Sequence, residues 1–226
     1  MSTTSAQDDL KRVIADGVYE EYKGFILAQA ILLSTVTYAG ELNDRGFGEL
    51  FGLIQQHCRN ALILALTKMF DPTHRNNRPR SIPEALRILS ERKQDVHFVN
   101  DGTLVLHRYG LDSSMGKDAL IDALVARTHA RIAQVQGALD DVKMLRDKYF
   151  AHRDRNVQVE ALPQKTLGEI TTVAEVAEEF LDLAGVFLFN ADWFELNRYH
   201  PNIKAHDAYR VMDSFERLMA TAHIQR

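Results

Sequence analysis

KDALIDALVARTHARIAQVQGALDDVKMLRDKYF, residues 117–150, is the stretch that decides the fold. Ile121, Leu124, Thr128, Ile132, Val135, Leu139, Val142, Leu145 and Tyr149 follow one another at steps of 3, 4, 4, 3, 4, 3, 3 and 4. Such spacing keeps apolar groups on one side of a helix and approaches a heptad seam, the pattern of antiparallel bundles and of dimer interfaces. It predicts one long amphipathic helix from Lys117 to Phe150, and with it an all-α protein.

The flanking segments read the same way. Leu10, Ile14, Val18, Tyr22 and Phe25 mark a first helix over about Gln7 to Tyr38, ended by Gly40 and the polar run Asn43-Asp44-Arg45-Gly46. A second helix runs from about Gly48 to Phe70 on the stripe Leu50, Ile54, Cys58, Ala61, Ala65 and Met69. Its segment Ala61 to Leu66 is apolar all round, as in a helix buried within a bundle. Asp71-Pro72 stops it. Ser81 and Glu84 predict a capping box around Pro83 and a short helix to about Arg92. Thr166 and Glu169 predict a second box, opening an apolar helix to about Phe194. A weaker helix follows at about 205–224. The segment 95–116 is the least helical: Asn100-Asp101-Gly102 between apolar flanks fits either a small hairpin or a structured loop. The expected architecture is a four-helix up-down bundle with short additional helices and that insertion. It forms a single helical domain over 1–226, with its core over about 8–190.

Composition bounds the function. The 226 residues are 46% hydrophobic and 26% charged, ordinary for a globular chain, so one sizeable core is expected. The net charge of −4 supplies no global positive field for nucleic acid or membrane, so any anion-binding surface must be local. Cys58 is the sole cysteine. No intrachain disulfide can form, and on a buried stripe it reads as an inert core thiol. The first residues carry acids and no apolar run, unlike a signal peptide, and no stretch is apolar enough to span a bilayer. The expectation is a cytoplasmic protein. No metal-ligand spacing, glycine-rich phosphate loop or nucleophile elbow is present, and no cofactor is expected.

What remains is basic residues with histidine. Lys143 to Asn156, KMLRDKYFAHRDRN, ends the central helix with Arg146, Asp147 and His152. Arginine is permanently charged and can grip a phosphate with two parallel hydrogen bonds. Histidine titrates near neutrality and can pass a proton either way. Asp147 can fix the arginine. Arginine followed by histidine five or six residues later also occurs at Arg92–His97 and Arg217–His223. There, however, Lys93 and Leu218 stand where an orienting acid would. Lys148 and Arg153, with His74, Arg75 and Arg78 from the acid-free loop 73–80, are candidate phosphate contacts. Tyr149 can stack on a base, but its place on the stripe favours packing. A histidine on a bundle stripe also fits a buried core residue, and helix-end ion pairs collect the same residue types.

Arg146-Asp147-Lys148-Tyr149-Phe150-Ala151-His152, with Asp154 and the earlier ALILALTKMFDP (Ala61 to Pro72), resembles the HEPN superfamily, in particular its abortive-infection, AbiU-type branch of ribonuclease toxins. The resemblance covers about Tyr22 to Phe187. It implies a metal-independent endoribonuclease acting in phage defence as a homodimer, with a composite site where two His152 residues divide the acid and base roles. It also implies RNA as partner and a neighbouring antitoxin protein. Members that bind without cleaving keep a second reading open: a non-catalytic helical dimer for RNA, a nucleotide or a protein. Geometry adds a demand. Six residues separate Arg146 from His152, about 120° on a straight helix, so the helix must break near Ala151 or a partner chain must complete the site.

Overall fold

A computed structural model describes residues 5–73, 78–98, 103–112, 114–147, 166–189 and 203–223, with backbone alone at 103–105, 203–209 and 221–223. The protein is all-α, and no strand occurs among the described residues. The helices are α1 (Ala6–Leu10), a π-helical segment (Lys11–Val18), α2 (Tyr19–Thr37), α3 (Ala39–Asp44) and α4 (Gly48–Met69). They continue with α5 (Ile82–Glu91), a 3-10 turn (Lys93–Asp95), α6 (Thr103–Arg108), α7 (Lys117–Gln134), α8 (Gln136–Leu145), α9 (Leu167–Phe189) and α10 (Ile203–His223). Among the described residues no helix is long and apolar enough to cross a membrane.

The chain divides into two compact units, one of residues 1–22 and 66–193, the other of 23–65 and 194–226. The first is built around α9, whose Val173, Ala177, Phe180, Leu181, Ala184 and Phe187 are buried. Against it lie α7, α8, α6 and the π segment, and α5 bridges the π segment and α7. Each Val, Leu or Phe side chain among them contributes roughly 1.5–3 kcal/mol on leaving water, which outweighs any propensity term in deciding which face turns inward. In the second unit Phe25, Leu32, Leu42, Leu62 and Met219 are buried, and Phe51 meets Phe215 edge-on at 5.7 Å.

Several expectations need correction. The long helix is two helices. Val135 has φ −106° and ψ 9°, and its N–H bonds to Ile132 O at 3.1 Å, one residue tighter than α geometry. A straight helix drifts about 20° per heptad from a 3.5-residue repeat, so four heptads carry the stripe off the core. The break returns it, leaving Val135, Leu139 and Val142 buried. The stripe is therefore the protomer's own core: Ile121, Leu124, Thr128, Val135, Leu139 and Val142 are all under 9% exposed, facing α9 within the same chain. It is not a free dimer seam.

Ser81 starts α5 without capping it. Its hydroxyl donates to the Asp71 carbonyl at 2.7 Å, and Glu84 is engaged by Arg87 and Thr73. The box at α9 is real and reciprocal: Glu169 N–H donates to Thr166 Oγ1 at 3.2 Å, and Thr166 N–H to Glu169 Oε2 at 2.9 Å. Gly40 does not end the helical run, because buried Leu42 holds one further turn, α3. That turn closes at Gly46 in the left-handed region, φ 77°.

The insertion carries α6, neither hairpin nor plain loop. Leu106 is fully buried, and Arg108 Nη1 and the Tyr109 hydroxyl both donate to buried Asp182 at 2.8 Å. The turn at Asn100-Asp101-Gly102 and the end of the α9 reading, 190–194, lie outside the described residues.

Candidate active site

Regular α geometry stops at Leu145, and Arg146 and Asp147 continue in a wider, π-type turn. The straight-helix extrapolation to position 152 thus starts from a false premise, since regularity is lost six residues earlier. Arg146 Nε donates to Asp147 Oδ1 at 2.7 Å, and Arg146 Nη1 donates to Asp71 Oδ1 at 2.8 Å. Nη2 has no partner among the described residues. The Arg146 side chain is 27% exposed. The hydrogen bond it donates to Asp147 raises its pKa further above the ordinary arginine range; burial opposes this, and Asp71 adds to it. Two carboxylates thus fix a permanently charged guanidinium at one angle with one nitrogen left over.

Asp71 is itself held. It follows the last turn of α4, and Pro72 prevents that helix from continuing. Its carbonyl takes the Ser81 hydroxyl, tying the corner to the start of α5. Two residues on, the Thr73 hydroxyl donates to Glu84 Oε2 at 3.0 Å. Arg87 grips the same carboxylate with both Nε (2.9 Å) and Nη2 (2.7 Å). Burial alone would push the Glu84 carboxyl up, but the bonds from Arg87 and Thr73 bring it below the ordinary value. The chain of contacts runs Arg87, Glu84, Thr73, the Pro72 corner, Asp71, Arg146, Asp147, and it joins α4, α5 and α8. Among the described residues no group of three or more His, Cys, Asp or Glu is placed to hold a metal ion.

The family model of HEPN AbiU2 matches residues 12–212. The chain belongs to that family. It is an abortive-infection HEPN-like protein, and the extent of the match includes every helix from the π segment to α9. No curated protein and no solved structure matches it.

Of the residues singled out from this HEPN sequence, Arg146 and Asp147 are together as expected. Arg78 is near enough to Glu84 for its charge to favour that carboxylate. His152, Lys148, Arg153, His74 and Arg75 lie outside the described residues, as does Tyr149. The arginines of the two other arginine–histidine pairs are also held by acids, one distant in sequence and one a helical turn away. Arg92 donates to Asp9 at 2.6 Å, and Arg217 pairs with Asp213 one turn earlier. An acid holding the arginine is therefore not what sets Arg146 apart. Asp71 is the residue that sequence reasoning did not assign to the site, though it stood in the Ala61 to Pro72 stretch that carries the resemblance and was read as a helix stop. Its signal is isolation, for it is the sole acid between Glu49 and Glu84.

Proposed function

We propose that this protein is a HEPN-type endoribonuclease of phage defence, cleaving RNA without a metal ion at a composite site in a homodimer cleft. One observation carries the reading: Arg146 is held between Asp71 and Asp147 at the end of α8, with Nη2 unengaged among the described residues, six positions before His152 in sequence. A preset guanidinium costs no reorganisation when phosphate arrives, which is where electrostatic catalysis gains most. His152 is the proton-transfer residue. The ribose 2′-hydroxyl loses its proton to a base and attacks the adjacent phosphorus; the 5′-oxygen leaves and takes a proton from an acid, and a 2′,3′-cyclic phosphate remains. The His152 residues of two protomers divide those roles, as the family resemblance implies. Lys148, Arg153, His74, Arg75 and Arg78 steer the backbone, and a neighbouring antitoxin holds the activity in check.

A second reading has its own observation. Arg146, Asp71 and Asp147 together carry one negative charge, which disfavours phosphate and fits a HEPN dimer that binds a protein or nucleotide without cleaving. Purified protein incubated with total RNA and chelator separates the two. The nuclease reading expects fragments ending in cyclic phosphate, lost in His152→Ala and Arg146→Ala while both variants melt like wild type. Intact RNA under every condition sinks it, and cleavage abolished by chelator alone sinks the metal-free mechanism.

A further inference from the structure

The side chains of Arg146 and Asp71 are 27% and 32% exposed. An ion pair so open to water does not keep its own geometry, because solvent competes for both groups. What aims Asp71 therefore lies deeper, and the corner after α4 has two buried anchors. The first grips its main chain: the hydroxyl of fully buried Ser81 donates to the Asp71 carbonyl at 2.7 Å. The second lies two residues on, where the Thr73 hydroxyl donates to Glu84 Oε2 at 3.0 Å. Glu84 is buried, and Arg87 holds its carboxylate through both Nε and Nη2. The acceptor that Thr73 meets is thus itself fixed.

Between the anchors stands Pro72. Its ring locks its own φ and disfavours the helical region for Asp71, so few free torsions separate Asp71 from Thr73. With the Asp71 carbonyl pinned on one side and the Thr73 side chain on the other, the direction in which the Asp71 carboxylate leaves the main chain depends on both. The Thr73 hydroxyl hydrogen goes to Glu84, so its influence on Arg146 passes through the corner. Supporting bonds of this kind decide whether a charged group is held at its working angle, and a displacement of about 1 Å at such a group costs about a hundredfold in rate. Glu84 and Arg87 are not separable from the fold, since removing either leaves the other's charge without its partner. Thr73 is separable: valine in its place removes the hydroxyl and leaves that pair whole.

We infer that Thr73 is a positioning residue: through Glu84 it fixes the corner that aims Asp71, and so sets the angle of the Arg146 guanidinium. Its consequence for cleavage rests on the nuclease reading; its effect on Arg146 does not. Thr73→Val and Thr73→Ser in the full chain test it. RNA cleavage is measured over a range of substrate concentration, and the Arg146 Nε–H is followed by NMR, assigned by its loss in Arg146→Lys. Thr73→Val is expected to lower kcat about tenfold or more with KM within about twofold, the signature of an interaction made in the transition state. It also speeds exchange of the Arg146 Nε–H with water severalfold, and the protein melts close to wild type. Thr73→Ser keeps the hydroxyl and restores both readouts. Wild-type kcat and unchanged exchange in Thr73→Val overturn the inference. So does an equal loss in Thr73→Ser, which would trace to packing and not to the hydroxyl, or a loss of cleavage with the Nε–H unchanged, which would bypass Arg146. A Thr73→Val protein that melts far below wild type also overturns it, since the hydroxyl would then serve the fold and not the site. If wild type leaves RNA intact, the nuclease reading falls, and the Arg146 Nε–H alone decides for or against Thr73.

Discussion

Arg146 Nη1 and Asp71 Oδ1 lie 2.8 Å apart, joining positions 75 residues distant in sequence. Both side chains are about 30% exposed, so solvent screens the pair and its contribution is modest. A double-mutant cycle of Asp71→Ala and Arg146→Ala in urea is expected to give a coupling on the order of 1 kcal/mol. Asp71→Asn should keep the fold yet lower RNA cleavage at least tenfold, by loosening the guanidinium. Zero coupling would show that the contact contributes nothing measurable to stability.

Glu84 predicts an acid sensitivity. Its carboxyl, engaged by Arg87 and Thr73 and near Arg78, sits below the ordinary value of 4.5. A carboxyl depressed in the folded state contributes stability that is fully present above the unfolded value and is lost as pH falls through the folded one. Wild type should therefore lose stability steeply below about pH 4.5. Glu84→Gln should start lower at neutral pH and fall less steeply over the same window. Urea midpoints as a function of pH decide the matter; parallel curves would mean that Glu84 is not depressed.

How much of this was legible beforehand follows from what each feature depends on. Local patterns were readable in part. The box at Thr166–Glu169 and the stripe Leu10, Ile14, Val18, Tyr22 and Phe25 involve residues three or four apart and are borne out. The α4 stripe mixed two faces, with Cys58, Ala65 and Met69 buried and Leu50 and Ala61 exposed, and its segment 61–66 is not buried all round, since Leu64 is also exposed. The Ser81 box was not readable, because its hydroxyl found a better acceptor in the Asp71 carbonyl once the α4 corner was in place. The break at Val135 keeps the stripe against α9, and where along the helix it falls is not marked by the stripe itself. Helix α6 arises for the same reason, from Asp182 some 74 residues away. At the site, Arg146 and Asp147 are neighbours and could be paired by inspection, whereas Asp71 reaches them through the fold.

The two boxes give a paired test. Thr166→Ala removes a cap from α9 and leaves the Glu169 amide unsatisfied, which should cost about 1 kcal/mol. Glu169→Ala should cost a similar amount, and the double variant less than the sum, because the bonds are reciprocal. Ser81→Ala should also destabilise, but it should be additive with Glu84→Ala, because the Ser81 hydroxyl bonds to the main-chain carbonyl of Asp71 and not within a box. Thermal melts of the single and paired variants distinguish these patterns, and strict additivity of Thr166→Ala with Glu169→Ala would sink the box.

Gly17 and Gly24 are both helical glycines, and opposite outcomes are expected from replacing them. A Cβ at Gly17 would lie 2.4 Å from Arg80 Cβ and 3.1 Å from Arg80 O, while one at Gly24 meets nothing within 4 Å. Close approach at Gly17 also lets Arg80 Nη1 donate to the Asp16 carbonyl at 3.2 Å, pinning residue 80 to the π segment. Gly17→Ala forces the two backbones apart and should destabilise by roughly 1–3 kcal/mol. Gly24→Ala should be neutral or stabilise by up to about 1 kcal/mol, since alanine holds a helix better than glycine. Arg80→Gly removes the nearest clashing atom and should restore part of the loss in Gly17→Ala. A Gly17→Ala protein that melts at or above wild type would mean that the π segment and residue 80 do not need this contact.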